Sequence, residues 1–150
     1  MKTFANVLRT VIAVGFYLLW ASQHVLLAVS GNAEPYDRFF AASYLPAYAW
    51  AWDTLGRPLF PWTVLLVVAS EYAAGVMMLG RGRTARLGQV AGLVWNLLLA
   101  PTPWGYANLI LAAAHLWLAT RTFERSAWPF PRRAGEPDRR ASPPRRAPHG

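Results

Sequence analysis

Residues Trp62–Leu79 read WTVLLVVASEYAAGVMML, an unbroken apolar run with one acid, Glu71, near its middle. A helix of this length extends about 27 Å, close to the thickness of a bilayer's hydrocarbon core. An ionisable side chain at that depth costs roughly 3 kcal/mol or more unless polar groups or water meet it. The rest of the chain therefore has to supply company for Glu71, and that requirement constrains every other helix.

Three further apolar stretches accompany it. The expected spans cover residues 7–29, 61–80, 84–101 and 103–120, an all-α four-helix transmembrane bundle filling a membrane domain of residues 1–122. Residues 123–150 alternate proline and arginine with little to bury, the composition of a disordered basic tail. The net charge of +8 would suit nucleic acid, but its placement points elsewhere. Lys2 and Arg9 lie at the start, Arg81, Arg83 and Arg86 in the link between the second and third spans, and eight arginines from Arg121 onward. The loop around residues 30–59 is nearly neutral. Basic ends and a basic middle link are the positive-inside pattern of an inner, plasma-type membrane protein with both termini cytoplasmic. The lipid bilayer, not nucleic acid, is the expected partner. The first apolar run is longer than a signal peptide's core and is read as a retained helix. The chain has no cysteine, which excludes thiol chemistry and Cys-ligated clusters.

Residues 30–61 make an outer loop rich in aromatics: Tyr36, Phe39, Phe40, Tyr44, Tyr48, Trp50 and Trp52. Short helices around 36–44 and 47–55, parted by Pro46, fit this stretch. Rings at this density beside a span are expected at the headgroup level. The alternative is a lid over a cavity between the helices.

Polar residues inside the spans fall on single faces. Gln89 and Asn96 are seven apart, as are Asn108 and His115, while Tyr17, Trp20 and His24 follow seven- and four-residue spacings. In lipid such faces turn inward. Helix rise sets Glu71, Asn96 and His115 near mid-membrane, and Gln23, His24 and Asn108 nearer the outside. A neutral Glu71 could donate a hydrogen bond to Asn96 or His115. The candidate intramembrane polar site is thus Glu71, Asn96, His115, His24 and Asn108. The two histidines differ in depth, which disfavours a bis-histidine haem. No metal site is expected. Gly88 and Gly92 form a small-xxx-small pair that would let another helix approach closely.

Glu71-x-x-x-Gly75, Leu79-Gly80 and Arg83-Thr84-Ala85-Arg86-Leu87 together resemble the second-to-third-span signature of DoxX-like membrane proteins. In place of that family's Gly-x-x-Lys end to the first span stands Ser22-Gln23-His24, and the Thr and Arg positions are displaced. The resemblance implies a small bacterial inner-membrane bundle, redox-associated and linked to quinone, beside a membrane redox partner subunit. It carries Glu71, Gly75, Gly80, Arg83 and Arg86 as motif residues. A non-catalytic accessory subunit of a larger membrane complex and a carrier of a small hydrophobic solute are the alternatives.

Overall fold

A computed structural model describes residues 2–127, and the expected disorder of residues 128–150 lies outside them. Every element among the described residues is helical. The first three are continuous: α1 (Lys2–Val11), a π-helical stretch Ile12–Leu19, and α2 (Trp20–Ser30). Their junctions at Val11, Leu19 and Trp20 all keep right-handed helical backbone, so they form one long rod. The rod ends at Gly31, whose φ of 70° is the left-handed conformation glycine adopts without a Cβ penalty. Its N–H and that of Asn32 close the last turn onto Ala28 and Leu27. The helix begins several residues before the expected residue 7, because nothing in residues 2–6 breaks it and Arg9 is itself buried.

The outer loop folds into α3 (Glu34–Ala41) and α4 (Pro46–Ala51), followed by a wide turn over Trp52–Gly56. Both helices carry proline in the first turn, where its missing N–H has no intrahelical partner to lose. Then come α5 (Trp62–Leu79), α6 (Gly82–Leu99) and α7 (Gly105–Ala119). The turn between α5 and α6 uses extended backbone at Arg81 and a left-handed Gly82, with a φ of 54°.

Packing is organised on α5. The first rod lies on one side of it and α6 on another, and α6 packs on α7. The approach to α6 is as close as backbones allow. A Cβ added at Gly88 would stand 2.5 Å from the Met78 nitrogen and 3.0 Å from the Ala74 oxygen. Gly75 serves the first rod in the same way, its missing Cβ falling 2.8 Å from Tyr17 Cβ. The ring closes where α7 meets the first rod, through edge contacts of Tyr17 with His115, Phe4 with Trp117 and Trp20 with Trp104.

Two helices, Thr3–Ser30 and Trp62–Leu79, are long and apolar enough to cross a membrane, and Gly105–Ala119 is a shorter apolar helix. Large apolar side chains face outward on all four long helices, among them Leu26, Leu66, Leu98 and Ile110.

Residues 123–127, which composition assigns to the tail, belong to the packed fold. Residues 123–127 pack across the end of the bundle formed by Arg9, Leu79 and Gly80. Phe123 is buried, Gly82 N–H donates to its carbonyl at 2.7 Å, and Ala127 N–H donates to the Leu79 carbonyl at 2.8 Å. These bonds satisfy backbone groups at the end of α5 and the start of α6, which a helix terminus otherwise leaves open.

Candidate functional site

The polar side chains between the helices separate into two groups with different surroundings. The first is a buried chain of hydrogen bonds that ends at Gln89, whose Nε2 has no partner. Asn96 Nδ2 donates to the Tyr17 hydroxyl at 2.9 Å and to the Gly92 carbonyl at 2.8 Å. The Tyr17 hydroxyl lies 3.1 Å from His115 Nε2, and His115 Nδ1 lies 2.7 Å from Gln89 Oε1. An amide oxygen only accepts, so Nδ1 carries the proton, Nε2 is the acceptor of a neutral ring, and the tyrosine's one hydrogen faces both it and the Gly92 carbonyl at 3.3 Å. The chain then runs one way, from Asn96 through Tyr17 and His115 to Gln89. All four residues are buried, which makes an intact chain expensive to break. Gly92 holds the ring in place: a Cβ there would fall 2.6 Å from His115 Cε1.

The second group lines a cavity of about 410 Å³ between the first rod, α5, α6 and α7. Its wall carries Glu71, His24, Asn108, Trp95 and rings from several helices. Glu71 is 9 % exposed, Trp95 lines the same wall, and Oε2 has no hydrogen-bond partner. Asn108 uses Nδ2 to hold the Leu99 carbonyl at 3.0 Å. His24 Nδ1 is bonded to the Tyr36 hydroxyl. Burial, with the nearby Glu71 charge, pushes the Tyr36 phenol above its ordinary range, so it stays protonated and can act as the donor.

This arrangement differs from the two levels expected from depth, which put Glu71 with Asn96 and His115 and set Gln23, His24 and Asn108 apart. Glu71 bonds neither Asn96 nor His115, whose polar atoms go to Tyr17, Gln89 and Gly92. His24 and Asn108 join Glu71 at the cavity instead. Rise along a helix gives depth but not azimuth, and the azimuth here is set by the π-helical stretch. A π turn takes about one more residue than an α turn, so Tyr17 and His24, seven apart, no longer share a face. Gln23 is exposed rather than interior. Of the motif residues, Gly75 is filled by the first rod and leaves no room for a ligand, while Gly80 offers its carbonyl to Arg9. Arg83 and Arg86 are exposed.

The aromatic loop divides as well. Tyr44 and Trp50 stand outward and are exposed. Tyr36, Phe39, Phe40 and Trp52 turn inward and cover the cavity, which is the lid alternative. Phe40 stacks on Trp52 at 5.0 Å, Trp52 Nε1 donates to Asp37 at 2.8 Å, and Arg57 pairs with Asp37 at 3.3 Å. The lid is thus cross-braced within itself and latched to the first rod by His24.

Arg9 was expected to mark orientation only, and it does structural work as well. It is 1 % exposed, its guanidinium lies 4.1 Å from the Phe123 ring centre, and it donates to the Gly80 and Arg125 carbonyls at 2.9 and 3.3 Å. Its spacing from Ala5, Ile12 and Ala13, all buried, was the available signal. Comparison with protein-family models, with curated proteins and with solved structures gives no match to this chain.

Proposed function

We propose that this chain is a DoxX-like integral membrane protein of four spans, with both termini cytoplasmic, that holds a small ring-bearing lipophilic molecule of the quinone class as a redox-associated subunit. The observation that carries the reading is the cavity: apolar and aromatic walls, one buried acid with an open oxygen, and a lid. Its volume of about 410 Å³ is within the range of small-molecule sites. The outward apolar faces of α6 and α7 support four spans, although α7 is short.

The residues present fit a quinone. Its ring would lie against Phe39, Phe40 and Trp104, and a ring oxygen would be met by Glu71 or by the Asn108 side chain. When bound, a quinone would supply two-electron redox chemistry. The protein's own share is to exclude water, hold the ring, and present a carboxyl able to donate or accept one proton at that oxygen. Carriage of a hydrophobic solute is the second reading, favoured by the lid, since a closed cover with one latch is what an exchanging ligand needs.

The test is purification from native membranes followed by extraction and mass spectrometry. A quinone at near-stoichiometric amount, lost from a variant whose cavity is filled by Val67→Trp, supports the reading. A preparation that carries only bulk lipid and binds no added short-chain quinone refutes it. A reporter fused to the C-terminus tests the span count: activity on the outer side overturns four spans with cytoplasmic ends.

A further inference from the structure

The quinone reading does not use one property of the cavity, its charge balance. Glu71 is the acid on its wall, buried to about nine-tenths with Oε2 unpartnered, and no lysine or arginine lines the space. The remainder of the wall is largely aromatic: Phe16, Trp20, Phe39, Phe40, Trp52 and Trp104. Ring faces carry negative quadrupole and attract a cation placed over them, more so where water is excluded. A carboxylate taken out of water is costly unless an opposite charge accompanies it.

Among the described residues no guanidinium or ammonium lines the cavity, and His24, the one basic side chain on the same wall, has its Nδ1 bonded to the Tyr36 hydroxyl. Arg9 lies at the opposite end of α5, on Gly80 and Phe123. Arg57 is taken by Asp37 on the loop, and Arg38 by Glu34. The hydrogen-bond capacity of His115 is used by Tyr17 and Gln89. A desolvated acid inside an aromatic enclosure that lacks its own counter-charge is complementary to an organic ligand which brings a positive charge and flat apolar surface together.

We propose that this cavity binds lipophilic organic cations, with Glu71 as the counter-charge and the surrounding rings as the cation's walls. The site is that of the proposed function, but the inference does not depend on quinone binding, since it rests on the acid's missing partner and not on redox chemistry. It also gives the lid a purpose. Closing Tyr36 and Trp52 over the cation removes water from the ion pair and strengthens it.

The experiment uses the full chain in zwitterionic lipid nanodiscs and two probes of nearly the same shape, N-methylacridinium and uncharged acridine, in mildly alkaline buffer. Binding is read from quenching of ring emission by the protein's tryptophans. The cation is expected to bind about tenfold more tightly than acridine, the effect of one desolvated charge pair with cation–π support. Glu71→Gln should remove that preference while leaving acridine binding within about twofold. Equal binding of the two probes to the unaltered protein overturns the proposal without any variant, so a misfolded Glu71→Gln cannot shelter it. Retention of the preference in a folded Glu71→Gln protein overturns it too. A short-chain quinone titrated separately decides the redox reading: quinone binding without cation preference leaves that reading standing and removes this one, and the reverse result does the opposite.

Discussion

Replacing Gly88 by alanine is the sharpest test of how this bundle is held together. The new Cβ would lie 2.5 Å from the Met78 nitrogen, 2.9 Å from the Met77 carbonyl carbon and 3.0 Å from the Ala74 oxygen. All three are backbone atoms of α5, so no side chain can turn away. Ordinary contact begins near 3.4 Å, and α5 and α6 would have to part by about 1 Å. A gap of that size forfeits a quarter to a half of the dispersion well for each atom pair across the interface. Overpacking of this kind costs about 1–3 kcal/mol. Equilibrium unfolding in mixed detergent micelles, followed by far-ultraviolet circular dichroism, measures it. Gly15→Ala is the internal control, because nothing lies within 4 Å of a Cβ there. It should lose nothing and can gain from alanine's better helix propensity. Unfolding of Gly88→Ala at the same denaturant mole fraction as the unaltered protein would refute close backbone contact at this position. Equal destabilisation by both substitutions would refute it too.

Other consequences of the geometry are open to measurement. Tyr17→Phe removes the hydroxyl that joins Asn96 to His115. It should cost roughly 1–2 kcal/mol in the same unfolding experiment, the upper part of the range for interhelical polar contacts in membranes; an unchanged midpoint would show the chain to be incidental. Tyr36→Phe keeps the ring against Trp52 and Phe60 but releases His24. Labelling of Glu71 by a hydrophobic carbodiimide should then quicken severalfold, and an unaltered rate would mean the latch does not control access. Arg9→Lys keeps the charge but cannot reproduce a guanidinium that stacks on Phe123 while donating to two carbonyls. Losing about 1–2 kcal/mol there should speed tryptic cleavage after Arg125 by about tenfold, followed by mass spectrometry. Equal cleavage of both proteins would place residues 123–127 outside the stable fold.

Much of the helical plan was readable because periodicity and helix punctuation are local properties. Trp62–Leu79 is bounded by Pro61 and Gly80, and α5 occupies those limits. Gly31 ends the first rod, and Pro35 and Pro46 sit in the first turns of the loop helices. Composition assigns residues 123–127 to the tail because they have little apolar content. What holds them is backbone hydrogen bonding to Leu79 and Gly82 together with a single ring, Phe123. Composition does not register bonds of that kind. Gly88 and Gly92 were visible as a spaced pair of small residues, but small spacing alone does not say that one meets a backbone and the other an imidazole.

Residue order alone puts Glu71 in an apolar helix and requires that polar groups elsewhere in the chain, or water, meet its carboxyl. It also set out the polar residues available to do so, since each had to occupy one face of its own helix. Which of them meet was decided by the tertiary structure. The π-helical stretch at Ile12–Leu19 sends Tyr17 toward His115 and leaves His24 at the cavity. The hydrogen-bonding capacity of Asn96 and His115 is then used within their own chain, and Glu71 keeps an open oxygen under an aromatic lid. Depth follows from counting residues along a helix, whereas partnership depends on rotation about its axis, and that rotation was fixed only when the helices packed.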